Sequence, residues 1–301
     1  VFMLNFHAPT ARDYEWIQPI LYKAGLPGAD NTFQSMYFWD GYYGEVGLAE
    51  GFVTQHLRQD GAEVYLYPAG AGDERPALEA VLQDARERGG QLRLRGVTPD
   101  KRETLERLFP GKFEFTSYRD SFDYIYTVEE LAELHGKKLQ AKRNHCNRFE
   151  AEHPDFKTQR VTPETIPLCR EMTEKWYEAH AWNEKIEYEK IAIARAFDCF
   201  SKTGMDGLLL VENGEVLAFS LGARMNERYY DVCFEKAFSA INGAYAMINR
   251  EFSRMIAEKY PAVAYLNRED DMGEPGLRKA KESYQPTLLL EKFTADWKEK
   301  I

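Results

Sequence analysis

The chain has 301 residues, 44% of them hydrophobic and 14% aromatic, which excludes a disordered polypeptide and provides for more than one core. Its net charge of −10 excludes a protein that coats DNA or RNA through a general basic surface. No apolar run approaches the roughly 20 residues needed to cross a bilayer. The opening residues lack the basic-then-apolar order of a secretory signal. The four cysteines, Cys146, Cys169, Cys199 and Cys233, form no CxxC pair, so reduced thiols in a cytoplasmic protein are expected.

In chain order, residues 10–25 predict a helix that stops at Gly25. Glycine-punctuated, aromatic and β-branched runs at 41–57 and 62–70 predict strands. Residues 74–90 predict a helix with Pro76 near its start. A strand at 91–97, a helix at 98–111 and strand character over 113–127 follow. The second half repeats this order. It begins with a short strand at 157–161 and helices at 162–181 and 188–204. Residues 206–237 form a three-strand meander whose first hairpin turns at Asn213-Gly214. Then come a helix at 242–260, a strand at 262–270, a helix at 273–284 and a last strand at 285–293. This is an α/β (α+β) plan with two similar halves and one βαβ crossover, whose helix N-terminus is a natural anion site. The expected division is a domain at 1–126, a basic linker helix at 127–156 and a second domain at 157–301.

No dinucleotide fingerprint, phosphate loop, nucleophile elbow, HExxH or calcium loop occurs, and the six histidines never reach a zinc spacing, so no metal is expected. Glu269, Asp270 and Asp271 read as capping and solvated charge rather than a cation site. Cys146 beside His145 reads as a buried helix residue.

The charge is unevenly placed. Residues 1–135 carry 22 acids and 13 bases, whereas 136–301 carry 27 and 26. Within 136–150, Lys137, Lys138, Lys142, Arg143 and Arg148 face a single acid, Glu150. A helical reading puts Lys138, Lys142, His145 and Phe149 on one stripe, without the acidic partners that usually support such a face. The second basic segment is 267–286. Gly273 and Gly276 permit close backbone approach there, and Arg278, Lys279 and Lys281 follow Pro275 on a helix with Leu277 and Ala280 inward. Arg278, near that helix start, suits the gripping of phosphate. Two cationic segments far apart in sequence would converge on a pocket for an anionic small molecule or carrier.

Three stretches together, "LHGKKLQAKRNHCNRFE", "YYDVCFEKAFSAINGAYAMINREF" and "YLNREDDMGEPGLRKAKESYQP", resemble the bacterial DUF2156 family, which is related to the C-terminal domain of phosphatidylglycerol lysyltransferase. That family is similar to tandem GNAT-like folds and to the Fem peptidoglycan aminoacyltransferases. The resemblance implies two tandem GNAT-like domains, each a mixed sheet flanked by helices. It also implies an acyl- or aminoacyltransferase that uses acyl-CoA or aminoacyl-tRNA as donor and an amine or hydroxyl as acceptor. The donor would lie in the splay beside the strand of Tyr230 and Glu235, with its phosphate or RNA end at the helix that begins after Gly243. Glu235 is the expected base or amine anchor, with Tyr230 and Tyr284 orienting substrate or donating a proton. Lys236, Asn267, Arg268, Arg278 and Lys281 would bind acceptor or donor, and Lys138, Lys142, Arg143 and His145 would complete the cleft. The alternative is a non-catalytic GNAT pair that binds an anionic ligand or partner.

Overall fold

The computed structural model describes residues 3–181 and 183–299. The chain opens with β1 (Phe6–His7), α1 (Tyr14–Ala24), α2 (Phe33–Phe38) and α3 (Asp40–Tyr43). There follow β2 (Glu45–Ala49), β3 (Phe52–Gln59), β4 (Ala62–Leu66), α4 (Arg75–Arg88), β5 (Gln91–Val97), α5 (Pro99–Leu108) and β6 (Phe113–Ser117). The middle of the chain supplies β7 (Asp123–Thr127), α6 (Val128–Glu133), α7 (Gln140–Glu152), β8 (Lys157–Arg160), α8 (Ile166–Glu178) and α9 (Glu184–Cys199). The meander is β9 (Met205–Glu212), β10 (Glu215–Arg224) and β11 (Tyr229–Ala237). After it come α10 (Ala244–Lys259), β12 (Tyr265–Asn267), α11 (Pro275–Glu282), β13 (Leu288–Leu290) and β14 (Phe293–Trp297).

Two compact units result. The first takes residues 1–123, 270–274 and 289–301, and the second takes 124–269 and 275–288. The expected limits, 1–126, 127–156 and 157–301, differ from this division at the C-terminal end, because β14 is a strand of the first sheet. They differ also at 127–156, because α6 and α7 pack on α10 inside the second unit instead of standing apart.

The first sheet has the order β1-β2-β3-β4-β5-β14-β6, with β4 and β5 parallel. One face buries Ile17 and Leu21 of α1 and Phe33 and Met36 of α2 against Val46, Val53 and Leu66. The other buries the apolar stripe of α4, from Ala77 to Ala85, against Tyr65, Leu92, Leu94 and Trp297. Each fully buried large side chain contributes roughly 1.5–3 kcal/mol relative to exposure, so both faces must be covered for the sheet to persist. A buried ion triad also sits here, with Lys292 Nζ 2.8 Å from both Asp30 and Asp123.

The second sheet has the order β13-β7-β12-β11-β10-β9-β8. Its β9–β10 hairpin turns at Asn213 (φ 52°) and Gly214 (φ 84°), as the Asn-Gly pair predicts. α8 and α9 cover one face, where Phe197 meets Phe219, and α10 covers the other. Each unit is therefore a mixed seven-stranded sheet flanked by helices, the tandem GNAT-like arrangement that the resemblance implies.

Two local expectations fail. Aromatic density suggested strand from residue 41, but Asp40–Tyr43 is helical, as is Phe33–Phe38, whose cap is the Thr32 side chain accepting from Ser35 N. The single last strand expected at 285–293 is two short strands in different sheets.

Candidate functional site

β11 and β12 pair in parallel at Tyr229–Tyr265, Tyr230–Leu266 and Asp231–Asn267, and there the pairing stops. β11 runs on to Ala237 along β10, while the chain leaves β12 at Arg268. The two strands thus splay apart on one side of the meander. The parallel pair of the first sheet behaves differently, because β4 is paired to β5 along its whole length and Tyr67 N still donates to Arg95 O beyond it. Among the described residues, the split parallel pair belongs to the second unit.

Sequence chemistry shapes the split. The β10–β11 register shifts between Leu221 and Ala223, so Val232 and Cys233 both lie opposite Gly222. A Cβ at Gly222 would stand 2.3 Å from the Asp231 carbonyl oxygen, so this bulge requires glycine. Tyr230 and Glu235 are an odd number of residues apart, and strict alternation would set them on opposite faces. The bulge brings both to α10, where the Tyr230 ring meets Phe252 and Glu235 accepts from Asn249.

Glu235 and Arg268 bridge the split. Arg268 Nη2 donates to Glu235 Oε1 at 3.0 Å, and Asn249 Nδ2 donates to Oε2 at 3.3 Å. Both charged side chains are nearly withdrawn from solvent, with 11% and 12% exposure. Tyr126 and Tyr284 wall the guanidinium, their ring centres 5.8 and 5.0 Å from its carbon. Lys142 of α7 lies over the same Tyr284 ring, Nζ 4.1 Å from its centre. α11 supports the group from below: Lys281 Nζ donates to the Arg268 carbonyl at 2.6 Å, and Tyr126 returns a hydrogen bond to the Lys281 carbonyl.

The electrostatics follow from this packing. Burial and then the Arg268 guanidinium push Lys142 below the ordinary lysine value, while Glu235 pulls it back. Burial works against the Arg268 charge, but Glu235 and the two tyrosines hold it above its usual value. Burial raises the Tyr284 hydroxyl well out of the neutral range, with Arg268 opposing, so it stays a proton donor. Arg268 Nη1 and Asn249 Oδ1 are buried with no hydrogen-bond partner among the described residues. A pocket of about 140 Å³ opens beside Tyr284, lined by Glu129, Glu130, His135, Lys138, Leu139 and Gln285.

Residues 24–296 match the family described as phosphatidylglycerol lysyltransferase, C-terminal. The chain belongs to the phosphatidylglycerol lysyltransferase C-terminal family. A conserved protein of unknown function from Bacteroides thetaiotaomicron is 36% identical, with a TM-score of 0.92 over 98% of this chain and 100% of that one. L-PGS from Bacillus licheniformis shares the fold at 15% identity, with a TM-score of 0.66 over 98% of this chain and 94% of that one. An uncharacterised protein of Mycoplasmoides gallisepticum is 23% identical over 182 residues, covering 58% of this chain and 56% of that protein's length. The chain thus matches a little over half of that curated relative.

Within this lysyltransferase-type fold, the structure gathers Glu235, Tyr284, Arg268 and Lys142 at the split, with Lys281 directly behind them and Lys138 at the neighbouring pocket. Other expected residues lie elsewhere. Tyr230 is fully buried and its hydroxyl donates to Asp206, which is also held by Lys259 and Tyr260. Lys236 points to the opposite face of β11, where its ammonium pairs with Glu189 at 2.5 Å and lies 3.6 Å from the Trp176 ring centre. Asn267 is buried, and its side chain accepts from Glu269 N. Arg143 braces the start of α7 by donating to the Leu134 and Gly136 carbonyls. His145 is exposed and Phe149 buried, and Lys138 precedes the helix, so the expected stripe does not exist. Gly243 has φ 77°, and a Cβ there would lie 2.1 Å from the His145 carbonyl, so it admits α7 to the start of α10. Arg278 is half-buried on α11 with interactions of its own. On α11 the inward residue is Lys281, while Ala280 is exposed.

The acidic run also departs from expectation. Asp271 is buried, pairs with Arg119 at 3.4 Å and accepts from Gly273 N. Among the described residues no cluster of His, Cys, Asp or Glu could hold a metal. Cys146 is buried on α7, as expected, and its thiol is raised to about 11 by burial. All four cysteines are free thiols. Sequence reasoning missed Asn249, whose only sequence signal is a polar residue within the apolar stripe of α10, and Tyr126 on β7.

Proposed function

We propose that the protein transfers an acyl or aminoacyl group from acyl-CoA or aminoacyl-tRNA to an amine or hydroxyl acceptor at the split of β11 and β12. The supporting observation is that a carboxylate, two cations and a tyrosine from four separate segments of the chain meet where the parallel strands part. Family membership supports a transferase of this class.

In this reading Glu235 accepts the proton of the attacking amine or hydroxyl, since each of its oxygens keeps a lone pair beyond its bond to Arg268 or Asn249. The acceptor atom adds to the carbonyl carbon, and Lys142 offsets the negative charge that develops on the carbonyl oxygen. The bond to the carrier then breaks, at sulfur for acyl-CoA or at the ribose oxygen for aminoacyl-tRNA. Tyr284 supplies the proton to the leaving atom and recovers one through Glu235. Exposed Lys137, Lys138 and Arg148 flank Lys142 in the sequence and are the cations offered to the phosphates of a carrier. No helix among the described residues is long and apolar enough to cross a membrane. The reaction is placed in the cytoplasm, where both carriers are found.

One observation favours a non-catalytic anion-binding reading instead. The glycine before α10 is spent on the approach of α7 rather than on a phosphate loop. The deciding experiment is a transfer assay with labelled acyl-CoA and aminoacyl-tRNA, run with the native protein, Glu235→Gln and Lys142→Ala. Transfer that Glu235→Gln abolishes supports the enzyme. Stabilisation by a carrier without any turnover supports the binding module. A donor that is aminoacyl-tRNA will bind with a steep salt dependence, and acyl-CoA with a shallow one.

A further inference from the structure

The two orphaned atoms at the split point in different chemical directions. Arg268 Nη1 is a buried cationic donor, and Asn249 Oδ1 is a buried neutral acceptor, each without a partner among the described residues. Native structures satisfy such groups with protein, water or ligand atoms, so each marks a place where a ligand atom can bind. The Asn249 amide cannot be turned to exchange its ends, because its oxygen would then face the Glu235 carboxylate. Both orphans belong to side chains held by that one carboxylate, Arg268 on one oxygen and Asn249 on the other. A ligand that satisfies both therefore carries an anionic acceptor and an N–H or O–H donor within a few bonds of each other.

Charge narrows the class. Lys142 and Arg268 approach the Tyr284 ring centre to 4.1 and 5.0 Å, against the single carboxylate of Glu235. Among the groups that meet at the Tyr284 ring one positive charge remains over, which suits a monoanion, while the Lys281 ammonium behind them is turned to the Arg268 carbonyl. Arg268 spends an Nη2 hydrogen on Glu235, which leaves Nη1 as its unpartnered buried nitrogen. An aminoacyl ester brings an ammonium and no carboxylate, so the donor's amino end does not fit these atoms.

We infer that the acceptor is a small amino or hydroxy acid, its carboxylate bound at Arg268 Nη1 and Lys142 and its amine or hydroxyl hydrogen bonded to Asn249 Oδ1 beside Glu235. The inference rests on the acyl-transfer reading for the reaction, though not for the binding. With an amino acid, the ammonium first loses a proton to water. The free amine then forms a C–N bond to the acyl carbon while the bond from that carbon to the carrier's sulfur or oxygen breaks. The second N–H proton passes through Glu235 to the leaving atom. The products are an N-acyl or N-aminoacyl amino acid and the protonated carrier, with one proton released to solvent.

Calorimetric titration of the native protein with L-alanine, L-lactate, acetate, ethylamine and inorganic phosphate tests the inference. Alanine and lactate are expected to bind at least tenfold more tightly than ethylamine, and more tightly than acetate. Asn249→Leu should bring alanine down to the level of acetate, and Lys142→Met should weaken all carboxylates while sparing ethylamine. Arg268→Lys should lose at least tenfold for alanine, with its circular dichroism spectrum showing whether it has folded. If that variant does not fold, the native panel and Lys142→Met decide. Equal binding of ethylamine and alanine, phosphate binding tighter than alanine, or no binding of any of the five overturns the inference. A transfer assay with alanine and ethylamine separates the two proposals. Transfer to both amines at equal rates removes the carboxylate requirement and leaves the transferase standing. Binding of alanine without transfer does the reverse.

Discussion

Arg268 and Glu235 hold together two strands that have already parted: the 3.0 Å ion pair lies beyond the last backbone pair of β11 and β12. The carboxylate therefore serves both as a tie across the split and as the candidate base. Glu235→Gln keeps the hydrogen-bonding shape and removes the charge. It should lower transfer by about 10²-fold or more. It should also destabilise the protein by about 1–3 kcal/mol, because Arg268 keeps its charge in a buried position. Initial rates and thermal unfolding on one preparation measure both, and unchanged transfer would remove Glu235 from catalysis.

Lys142 gives a pH signature. Burial and Arg268 depress its folded-state value below the ordinary 10.5, so the folded protein binds fewer protons than the unfolded chain between those two values. The resulting penalty is complete below the folded value and is relieved as pH rises towards 10.5. Lys142→Met should therefore raise the midpoint at pH 7 by roughly 1–2 °C. The advantage should shrink as pH rises through the depressed value and vanish near the ordinary lysine value. A midpoint difference that does not change with pH would contradict this origin.

Gly243 is predicted to tolerate no side chain. Its φ of 77° is costly for alanine, and the added Cβ would strike the His145 carbonyl, which is backbone and cannot rotate away. Gly243→Ala should cost about 3 kcal/mol or more. Introducing His145→Ala into that variant should give no recovery. Denaturant unfolding of the single and double variants measures this, and recovery would show that a side chain, not the main chain, sets the limit.

Lys292 is the test of the first unit. It neutralises Asp30 and Asp123 in a buried site, and Lys292→Met leaves two buried carboxylates side by side with Arg95 left to oppose the charge of Asp30. The cost should be about 3–5 kcal/mol. The sign of the pH dependence should also invert. In the native protein Asp30 is held below its ordinary value, net of burial, by Lys292, so acid removes stability. In the variant the two crowded acids gain by protonation, so its midpoint should rise as pH falls from 7 towards 5.

Hydrophobic periodicity and glycine punctuation made the meander, α4, α10 and the hairpin at Asn213 readable, because these features are local. The resemblance, not the periodicity, supplied the tandem fold. Among site residues, charge composition led to Lys142 and the resemblance to Arg268, but neither could tell them from Arg143 and Lys236. The difference is one of direction. Arg143 turns back on the carbonyls of its own helix start, and Lys236 is one residue from Glu235 and so faces the other side of β11. Tyr230 shows the opposite failure, because a bulge shifts the alternation and sets it on the Glu235 side, where it is sealed in the core. Register shifts and long-range pairs of this kind leave no local trace.

The last strand, β14, lies between β5 and β6 in the first sheet. A ribosome that has finished residues 1–123 has therefore released two ribs of a fan with the slat between them still unmade. β6 has contacts with Phe109 and Arg102 but no strand partner until Phe293–Trp297 emerges, so the first sheet is completed last although its other strands are synthesised early.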